Sequence, residues 1–396
     1  MPPEQLRTRR QTRASVLDRL LATGGLFRPQ LAADCALTEA SISRILADLK
    51  EEGLVEEIRR PAPYPGGPGQ IVTLRQDQWV AGFTLGNGRL AFGAATLGQE
   101  LAYLERLPLP DVTDRHAIAA AFEQAVAALH AWCTARGVVP LRIGVSIPGL
   151  REPLEAPNPI AALDAAWLSG HLHDAFPMTP HSLVNAVAAR AAVHLFGPGS
   201  APIGTRHLFI HLGRGIGGAW VEPVTAAAPI RAIEFGHLVV QPGGPACRCG
   251  HRGCLEAFAS AGAIGRIFDL SEAEMIAADN DWPGLARMTA RRRTQLSDAL
   301  HRIGLAIGNV LNIMPVSLIA LSGWPSALAE DAREAIRHGI ADSVFGGAAA
   351  MRLPLRFLPS TSGSDPRPAL AWAMHELVRD GGLEPRHGGV RRAAGR

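Results

Sequence analysis

The sequence predicts a protein of the α/β class, in which a small α+β domain precedes a larger domain of alternating strands and helices. Three observations support this fold class. The first 75 residues contain three short helical patterns followed by a turn-rich hairpin. From about Val80 onward, apolar strand-like runs alternate with helical segments, as in layered α/β folds. A dense group of cysteines, histidines and glycines interrupts this alternation near residues 237–254.

The composition is that of an ordinary globular protein. Of the 396 residues, 47% are hydrophobic and 19% are charged, and the net charge of +3 favours no class of partner. No run approaches the roughly 18–20 apolar residues of a transmembrane helix. The first residues lack the apolar stretch of a secretory signal. We therefore expect a cytoplasmic protein with no membrane partner.

Shifts in composition divide the chain into four segments. Residues 1–13, which contain four arginines, are expected to form a flexible basic arm. Residues 14–76 are expected to form the small α+β domain and residues 77–384 the α/β domain. Residues 385–396, with arginine and glycine and no acidic residue after Arg386, predict a disordered tail.

The small domain has the layout of a winged helix-turn-helix. Helical patterns begin near Ala14, Arg28 and Thr38, and the Pro/Gly-rich stretch from Pro61 to Gly69 separates two apolar runs, as in a wing. The third helix would turn its apolar residues inward and leave its N-terminal polar residues outside, where a recognition helix reaches base edges. The predicted DNA-contacting residues are Thr38, Glu39, Ser41, Ser43 and Arg44.

A small helical bundle without a DNA role is the alternative for this segment. Residues 1–60 carry ten basic and nine acidic side chains, so electrostatic attraction to phosphate gives little support. The order of three helices, wing and arginine-rich arm still favours DNA binding.

The larger domain contains six candidate strands and four candidate helices. The strands are Val80–Leu85, Leu90–Ala95, Leu141–Ile147, Leu208–His211, Gly218–Val221 and Ser317–Leu321. The helices are Ala117–Ala135, Asn185–Leu195, Arg292–Ile313 and Ala327–His338.

The strongest motif in the chain is a cysteine cluster with metal-ligand spacing. Cys247, Cys249 and Cys254 with His237 form a Cys₃His set, the usual closed structural zinc arrangement. Four protein ligands leave no position for a catalytic water, so we expect a structural Zn²⁺. Buried free cysteines are the alternative, and His251 is a rival fourth ligand whose place inside the cysteine loop gives it poorer geometry.

This part of the chain resembles the ROK family of repressors, open reading frames and sugar kinases. The resemblance lies in Glu234-Phe-Gly-His237, followed by Cys247-Arg-Cys249-Gly and Gly253-Cys254-Leu-Glu256. Gly144-Val-Ser-Ile-Pro-Gly149 and Gly213-Arg-Gly-Ile-Gly-Gly218 also match, and residues 14–75 resemble the winged helix of its xylose and N-acetylglucosamine repressor branch. The resemblance implies an actin-like ATPase (ribonuclease H-like) fold of two lobes, with a sugar bound between them.

By this resemblance, Glu234, His237 and Glu256 would contact sugar hydroxyls, with His237 also ligating zinc. Alternatively, the two glutamates hydrogen-bond to the metal ligands or lie on the surface. Asn158 and Asn185 are the other polar candidates for the sugar site.

Two of the three features that a kinase of this family needs are missing. In the first phosphate loop, Thr84 replaces the acidic residue, and the paired glycines are absent. The position of the general base falls on Ala186 or Asn185, depending on the register, and neither accepts the sugar proton. The glycine-rich loop 213–218 is intact, but such a loop alone is weak support for a kinase.

The sequence therefore predicts a non-enzymatic, sugar-responsive transcription regulator, and a repressor of carbohydrate-utilisation genes in particular. Its expected partners are operator DNA, a sugar or sugar phosphate effector, and further copies of itself in a homodimer or homotetramer, because helix-turn-helix proteins read paired half-sites. The alternatives are a sugar kinase with an accessory DNA-binding domain and a regulator that binds no sugar.

Overall fold

The computed structural model describes most of the chain. The described residues are 3–61, 68–86, 88–109, 112–150, 162–195, 205–222, 229–277, 287–347, 352–358 and 365–383. They form an N-terminal domain with a three-stranded sheet and two lobes that each contain a five-stranded sheet.

The N-terminal domain packs three helices against an antiparallel sheet of order β1-β3-β2. Its helices are α1 (Pro3–Thr23), α2 (Arg28–Asp34) and α3 (Glu39–Glu51), and its strands are β1 (Leu26–Phe27), β2 (Val55–Pro61) and β3 (Pro68–Leu74). The Thr38 hydroxyl caps α3 by accepting a hydrogen bond from the Ser41 amide. Leu31, Ile42, Leu46 and Leu49 are fully buried, so α2 and α3 pack through their apolar faces as a helix-turn-helix requires.

The flexible arm predicted for residues 1–13 is wrong from Pro3 onward, because these residues belong to α1. Its arginines meet acidic side chains of other helices: Arg9 pairs with Asp48, Arg10 with Asp380 and Arg13 with Glu52. The partners lie 39 or more positions away in sequence, so local composition gave no sign of this order. The predicted tail, residues 385–396, lies outside the described residues.

Lobe 1 contains a mixed sheet of order β6-β5-β4-β7-β8. Its strands are β4 (Trp79–Gly86), β5 (Arg89–Thr96), β6 (Leu101–Pro108), β7 (Ile143–Ile147) and β8 (His181–Asn185). Helices α4 (Arg115–Arg136) and α5 (Ala165–Ala175) belong to this lobe. Phe122 of α4 packs on Phe83 of the sheet at a ring-centroid distance of 5.2 Å, which places α4 on one face.

Lobe 2 repeats the same strand pattern in a sheet of order β11-β10-β9-β12-β13. Its strands are β9 (His207–Leu212), β10 (Ile216–Val221), β11 (Ile230–Ile233), β12 (Leu318–Gly323) and β13 (Leu355–Leu358). Its helices are α7 (Leu255–Ala259), α8 (Ala261–Ile267), α9 (Glu272–Ala277), α10 (Ala290–Leu311) and α11 (Glu330–Ser343). In both sheets the first three strands are antiparallel and the last two add in parallel, as expected for a two-lobed actin-like fold.

Two helices, α6 (Ala186–Val193) and α12 (Arg367–Arg379), pack together between the lobes. Helix α12 lies directly on lobe 1 because two strand glycines let it approach. A Cβ on Gly82 would stand 2.8 Å from the Ala369 Cβ, and one on Gly144 would stand 2.3 Å from the Ala369 carbonyl oxygen. Any side chain at these two positions would therefore push the helix away from the sheet.

All ten candidate strands and helices of the larger domain are confirmed within a few residues. The elements that were not predicted from the sequence are β6, β8, β11, β13, α5, α7, α8, α9 and α12. Helix α12 buries most of its circumference, including the polar residues His375 and Glu376, so its polar residues do not mark an exposed face. Among the described residues, no helix combines the length and apolarity needed to cross a bilayer.

Candidate metal centre and effector cleft

His237 and three cysteines lie together in lobe 2. Their ligand atoms are all within 4.8 Å of one another. The sulfurs of Cys249 and Cys254 are 3.7 Å apart, and the Cys247 sulfur is 3.7 Å from Nδ1 of His237. Tetrahedral zinc with Zn–S bonds of about 2.3 Å holds its sulfurs about 3.8 Å apart, so these separations fit that geometry.

The loop reaches this geometry because two glycines adopt a left-handed backbone. Gly250 and Gly253 have φ of 90° and 80°, and a Cβ on Gly253 would stand 1.7 Å from the Gln241 carbonyl oxygen. Of the two candidate histidines, His237 lies in the cluster, whereas the backbone oxygen of His251 accepts a hydrogen bond from the Cys247 amide at 2.8 Å.

One nitrogen of the His237 imidazole faces the cysteines, and the other lies near the carboxylate of Glu234. Nδ1 faces Cys247, and Nε2 lies 4.0 Å from a carboxylate oxygen of Glu234. The Glu234 side chain is 54% exposed, so it remains accessible to a small molecule. This arrangement agrees with the double role implied by the family resemblance.

Glu256 is the more constrained of the two candidate glutamates. It is buried, and Oε2 accepts a hydrogen bond from the Ile216 amide at 2.8 Å. Arg248, between two of the clustered cysteines, lies 3.5 Å from Oε1 and donates to the Arg214 carbonyl at 2.9 Å. Glu256 and Arg248 thus connect the cysteine loop to the glycine-rich loop 213–218.

Two buried hydroxyls lie side by side in the lobe 1 sheet, and one of them, Thr84, is at the position where the family resemblance implies an acidic residue. Thr84 and Ser146 are register partners on the parallel strands β4 and β7. Both are fully buried, and their hydroxyls have no hydrogen-bond partner among the described residues. Since side chains alternate along a strand, they point to the same face as Gly82 and Gly144, toward α12.

Asn185 lies at the end of β8 and caps α6. Its Oδ1 accepts from the Val187 amide at 2.9 Å, and its Nδ2 donates to the Leu150 carbonyl at 2.7 Å. One lone pair and one N–H of the amide are left for a ligand. Ala186 begins the helix behind it, and Asn158, the other predicted polar contact, lies outside the described residues.

His211 and Ser322 form a pair in lobe 2 that the sequence analysis missed. The His211 Nδ1 and the Ser322 hydroxyl are 2.9 Å apart, at the neighbouring ends of the parallel strands β9 and β12. Burial holds the pKa of His211 well below its usual value, and the nearby positive charge of Arg190 adds to this effect. The imidazole is therefore neutral near pH 7. An isolated histidine in an apolar strand gave no signal for this pairing.

The predicted DNA-contacting residues share the outer side of α3. Thr38, Glu39, Ser43 and Arg44 are exposed, and Ser41 is half-buried. The Thr38 hydroxyl also donates to the Ser41 hydroxyl at 2.9 Å, so these two side chains are partly committed to the helix cap. Ser43 and Arg44 are the most available for contacts outside the chain.

This fold and these sites define a two-lobed protein of the actin-like sugar-kinase type with an N-terminal helix-turn-helix domain. Residues 80–365 match the ROK family, and the chain belongs to that family. The structure superposes with a TM-score of 0.72 on a ROK family transcriptional regulator described as a homologue of the E. coli MLC protein. That match covers 94% of this chain and 98% of the other at 21% identity.

Sequence relatives include both regulators and kinases. The DNA-binding transcriptional dual regulator NagC of Escherichia coli strain K12 is 27% identical over 248 residues, which are 61% of this chain and 60% of NagC. The glucokinase of Thermotoga maritima is 56% identical over 59 residues, which are 14% of this chain and 18% of the enzyme.

Proposed function

We propose that this protein is a DNA-binding transcription regulator that responds to a sugar or sugar phosphate. The observation that carries the proposal is the presence, in one chain, of an exposed recognition helix and a two-lobed sugar-kinase-like domain. The similarity to NagC, which is named as a transcriptional regulator, supports the proposal. We propose the role of a repressor of carbohydrate-utilisation genes for the same reason.

DNA recognition is assigned to α3 of a winged helix-turn-helix domain, residues 14–76. Ser43 and Arg44 would face base edges or phosphates, while Thr38, Glu39 and Ser41 lie at the helix N-terminus beside them. Operators for such domains contain two half-sites. The proposed functional unit is accordingly a homodimer or homotetramer.

Effector recognition is assigned to the cleft of the ROK domain, residues 77–384. The Glu234 carboxylate and Nε2 of His237 are available to a sugar hydroxyl pair, with Glu256, Asn185 and Asn158 as further contacts. Glu256 is the buried member of this set, and a buried polar group disfavours ligands that leave it without a hydrogen bond. His237, Cys247, Cys249 and Cys254 would hold Zn²⁺, whose contribution is structural because protein ligands fill all four positions.

The chain's own residues argue against phosphotransfer. The side chain at the position of the general base carries no carboxylate, whether this position is Asn185 or Ala186, and the Val187 amide already uses one lone pair of the Asn185 carbonyl oxygen. Thr84 cannot supply the charge that an acidic residue gives to the first phosphate loop. We therefore propose that the cleft senses its ligand without transforming it.

A sugar kinase with an accessory DNA-binding domain is the second candidate. The intact glycine-rich loop 213–218 and the similarity to a glucokinase favour it. A coupled ATPase assay over hexoses, amino sugars and their phosphates distinguishes the two. Turnover that depends on one of these sugars would establish the kinase and overturn the non-enzymatic proposal.

The regulator is tested with purified full-length protein and sheared DNA of its own genome. Retained fragments are sequenced, and their affinity is measured by fluorescence anisotropy with and without each sugar. Arg44→Ala should weaken binding at least about tenfold and, if Arg44 contacts phosphate, flatten the log–log salt dependence by about 0.9. Arg231→Ala, an exposed arginine on β11, is the matched control. Failure to retain any fragment at low salt would refute the proposal.

A further inference from the structure

The N-terminal domain meets lobe 1 at the end of α12, where the turn 380–383 lies against α1 and the end of α3. The Leu383 amide donates to Oε2 of Glu52, the C-cap residue of α3, at 3.2 Å. Leu383 packs partly buried against an apolar cluster that continues from the N-terminal domain into α12. The C-cap of the recognition helix is therefore in direct contact with the turn that follows α12 in the ROK domain.

Arg13 of α1 is the centre of this contact. Its guanidinium donates to both carboxylate oxygens of Glu52 at 2.5 and 2.6 Å and to the Gly381 carbonyl at 2.6 Å. The Arg13 side chain is only 8% exposed, so its charge depends on these partners. The Glu52 side chain is 23% exposed, so removal of Arg13 would leave a partly buried carboxylate without its partner, which is destabilising.

The turn has the conformation that this contact requires. Gly381 and Gly382 have φ of 72° and 104°, which other residues rarely adopt. A Cβ on Gly382 would stand 2.7 Å from both Nη2 of Arg13 and Oε2 of Glu52. Two consecutive glycines thus bring the chain onto the Arg13–Glu52 pair without a clash.

A second set of ion pairs ties the same turn to lobe 1. Asp380 pairs with Arg142, which precedes β7, at 2.5 Å and with Arg10 of α1. Both Asp380 and Arg142 have side chains only 10% exposed. One carboxylate therefore joins the lobe 1 sheet, the end of α12 and the first helix of the DNA-binding domain.

The opposite end of α12 lies on the cleft side of lobe 1. Ala369, in its first turn, touches Gly82 and Gly144, two residues before Thr84 and Ser146. Helix α12 is 13 residues long, about 20 Å at 1.5 Å per residue. A displacement at the cleft end would be carried to the turn because a packed helix moves as a rigid element.

We propose that the turn 380–383, held by Arg13 and Glu52, locks the orientation of the DNA-binding domain to that of α12. The position of α12 then sets the direction of the recognition helix relative to lobe 1. In a dimer, this lock fixes the distance between the two recognition helices. This effect on DNA recognition rests on the proposed function, whereas the lock itself does not.

The lock is tested by hydrogen exchange with mass spectrometry on the full chain. In Arg13→Ala, peptides covering residues 49–55 and 377–383 should exchange at least about tenfold faster than in the wild type. Arg9→Ala is the matched control: Arg9 lies one turn earlier and pairs, among the described residues, only with Asp48 of α3. In Arg9→Ala, the exchange rates of the same peptides should stay within about twofold of those in the wild type. Equal effects of the two substitutions would overturn the proposal.

If Arg13→Ala fails to fold, faster exchange will also appear in α10 of lobe 2. Glu52→Gln then takes its place, since it preserves the side-chain size and removes the charge. Faster exchange at 377–383 with α10 unchanged supports the lock, and unchanged exchange at 377–383 overturns it.

DNA binding supplies a separate readout. Insertion of about 5 bp between the half-sites of a retained fragment turns one half-site to the opposite face of the duplex. The wild type should lose at least about tenfold in affinity, whereas Arg13→Ala should lose less than about threefold. If no DNA binds but Arg13→Ala accelerates exchange, the proposed function fails and the lock stands. If DNA binds but exchange is unaffected, the lock alone fails.

Discussion

Gly144→Ala tests whether the close contact between α12 and the lobe 1 sheet holds these elements together. The added Cβ would stand 2.3 Å from the Ala369 carbonyl oxygen and 3.2 Å from the Ala373 amide nitrogen. Comfortable carbon contacts begin near 3.5 Å, so helix and strand must separate by about 1 Å. Backbone atoms cannot avoid the clash by changing rotamer.

Overpacking of this kind costs about 1–3 kcal/mol. At 2–4 °C per kcal/mol for a domain of comparable size, the melting temperature should fall by roughly 2–12 °C. Differential scanning calorimetry measures this shift. Gly170→Ala is the control, because a Cβ there meets nothing within 4 Å and alanine favours the helix by about 0.5–1 kcal/mol. A Gly144→Ala variant as stable as Gly170→Ala would refute the packing argument.

Three further predictions concern the metal loop, the pH response and the helix cap. Cys254→Ser should lower the melting temperature and lower the zinc content, measured by atomic absorption, well below one ion per chain. Cys35→Ser is the control and should retain the metal. A full zinc content in Cys254→Ser would contradict the assignment. Hydrogen bonds from Arg28 and Lys50 lower the pKa of Glu57 below 4.5, so its stabilising effect is present above pH 4.5 and is lost as the pH falls through the lowered value. The melting temperature of Glu57→Gln should therefore fall less steeply than that of the wild type below pH 4.5, and parallel curves would exclude this role. Asn185→Asp keeps the helix cap but places a carboxylate oxygen against the Leu150 carbonyl oxygen. We therefore expect urea unfolding to show a free energy of unfolding lower by about 1–2 kcal/mol, and we expect no sugar-dependent ATPase activity. Sugar-dependent turnover would show that only the carboxylate was missing.

The metal centre was predictable because its chemistry is local. Three cysteines and two positive-φ glycines lie within eight residues, so one short segment sets both the ligand spacing and the loop conformation. His237 precedes this segment by ten residues, and its imidazole lies in the cluster as the sequence led us to expect. The exposed side of α3 was predictable for a similar reason, since the period of 3.6 residues separates its buried from its exposed positions.

Long-range polar contacts were not predictable. Arg13 appeared to be part of a flexible arm, because its partners Glu52 and Gly381 lie 39 and 368 positions away. The pairing of His211 with Ser322 spans 111 positions and required two strands to become parallel neighbours. Helix α12 buries polar residues such as His375 and Glu376 as well as apolar ones, because it is enclosed by lobe 1, α6 and the N-terminal domain.

The sequence alone was enough to predict the order of the domains, the alternation of strands and helices, the four members of the His/Cys cluster and the absence of a carboxylate at Thr84 and Asn185. How the domains are joined became clear only from the folded chain. The contacts of Arg13, Asp380 and Gly382 exist only after two sheets and the N-terminal helices have assembled around α12. The physical reason is the sequence distance over which each feature is set. The periods of helices and strands and the spacing of the cysteine loop are set within a few residues. The partner of a buried charge can lie at any distance in sequence, because only folding brings the two together.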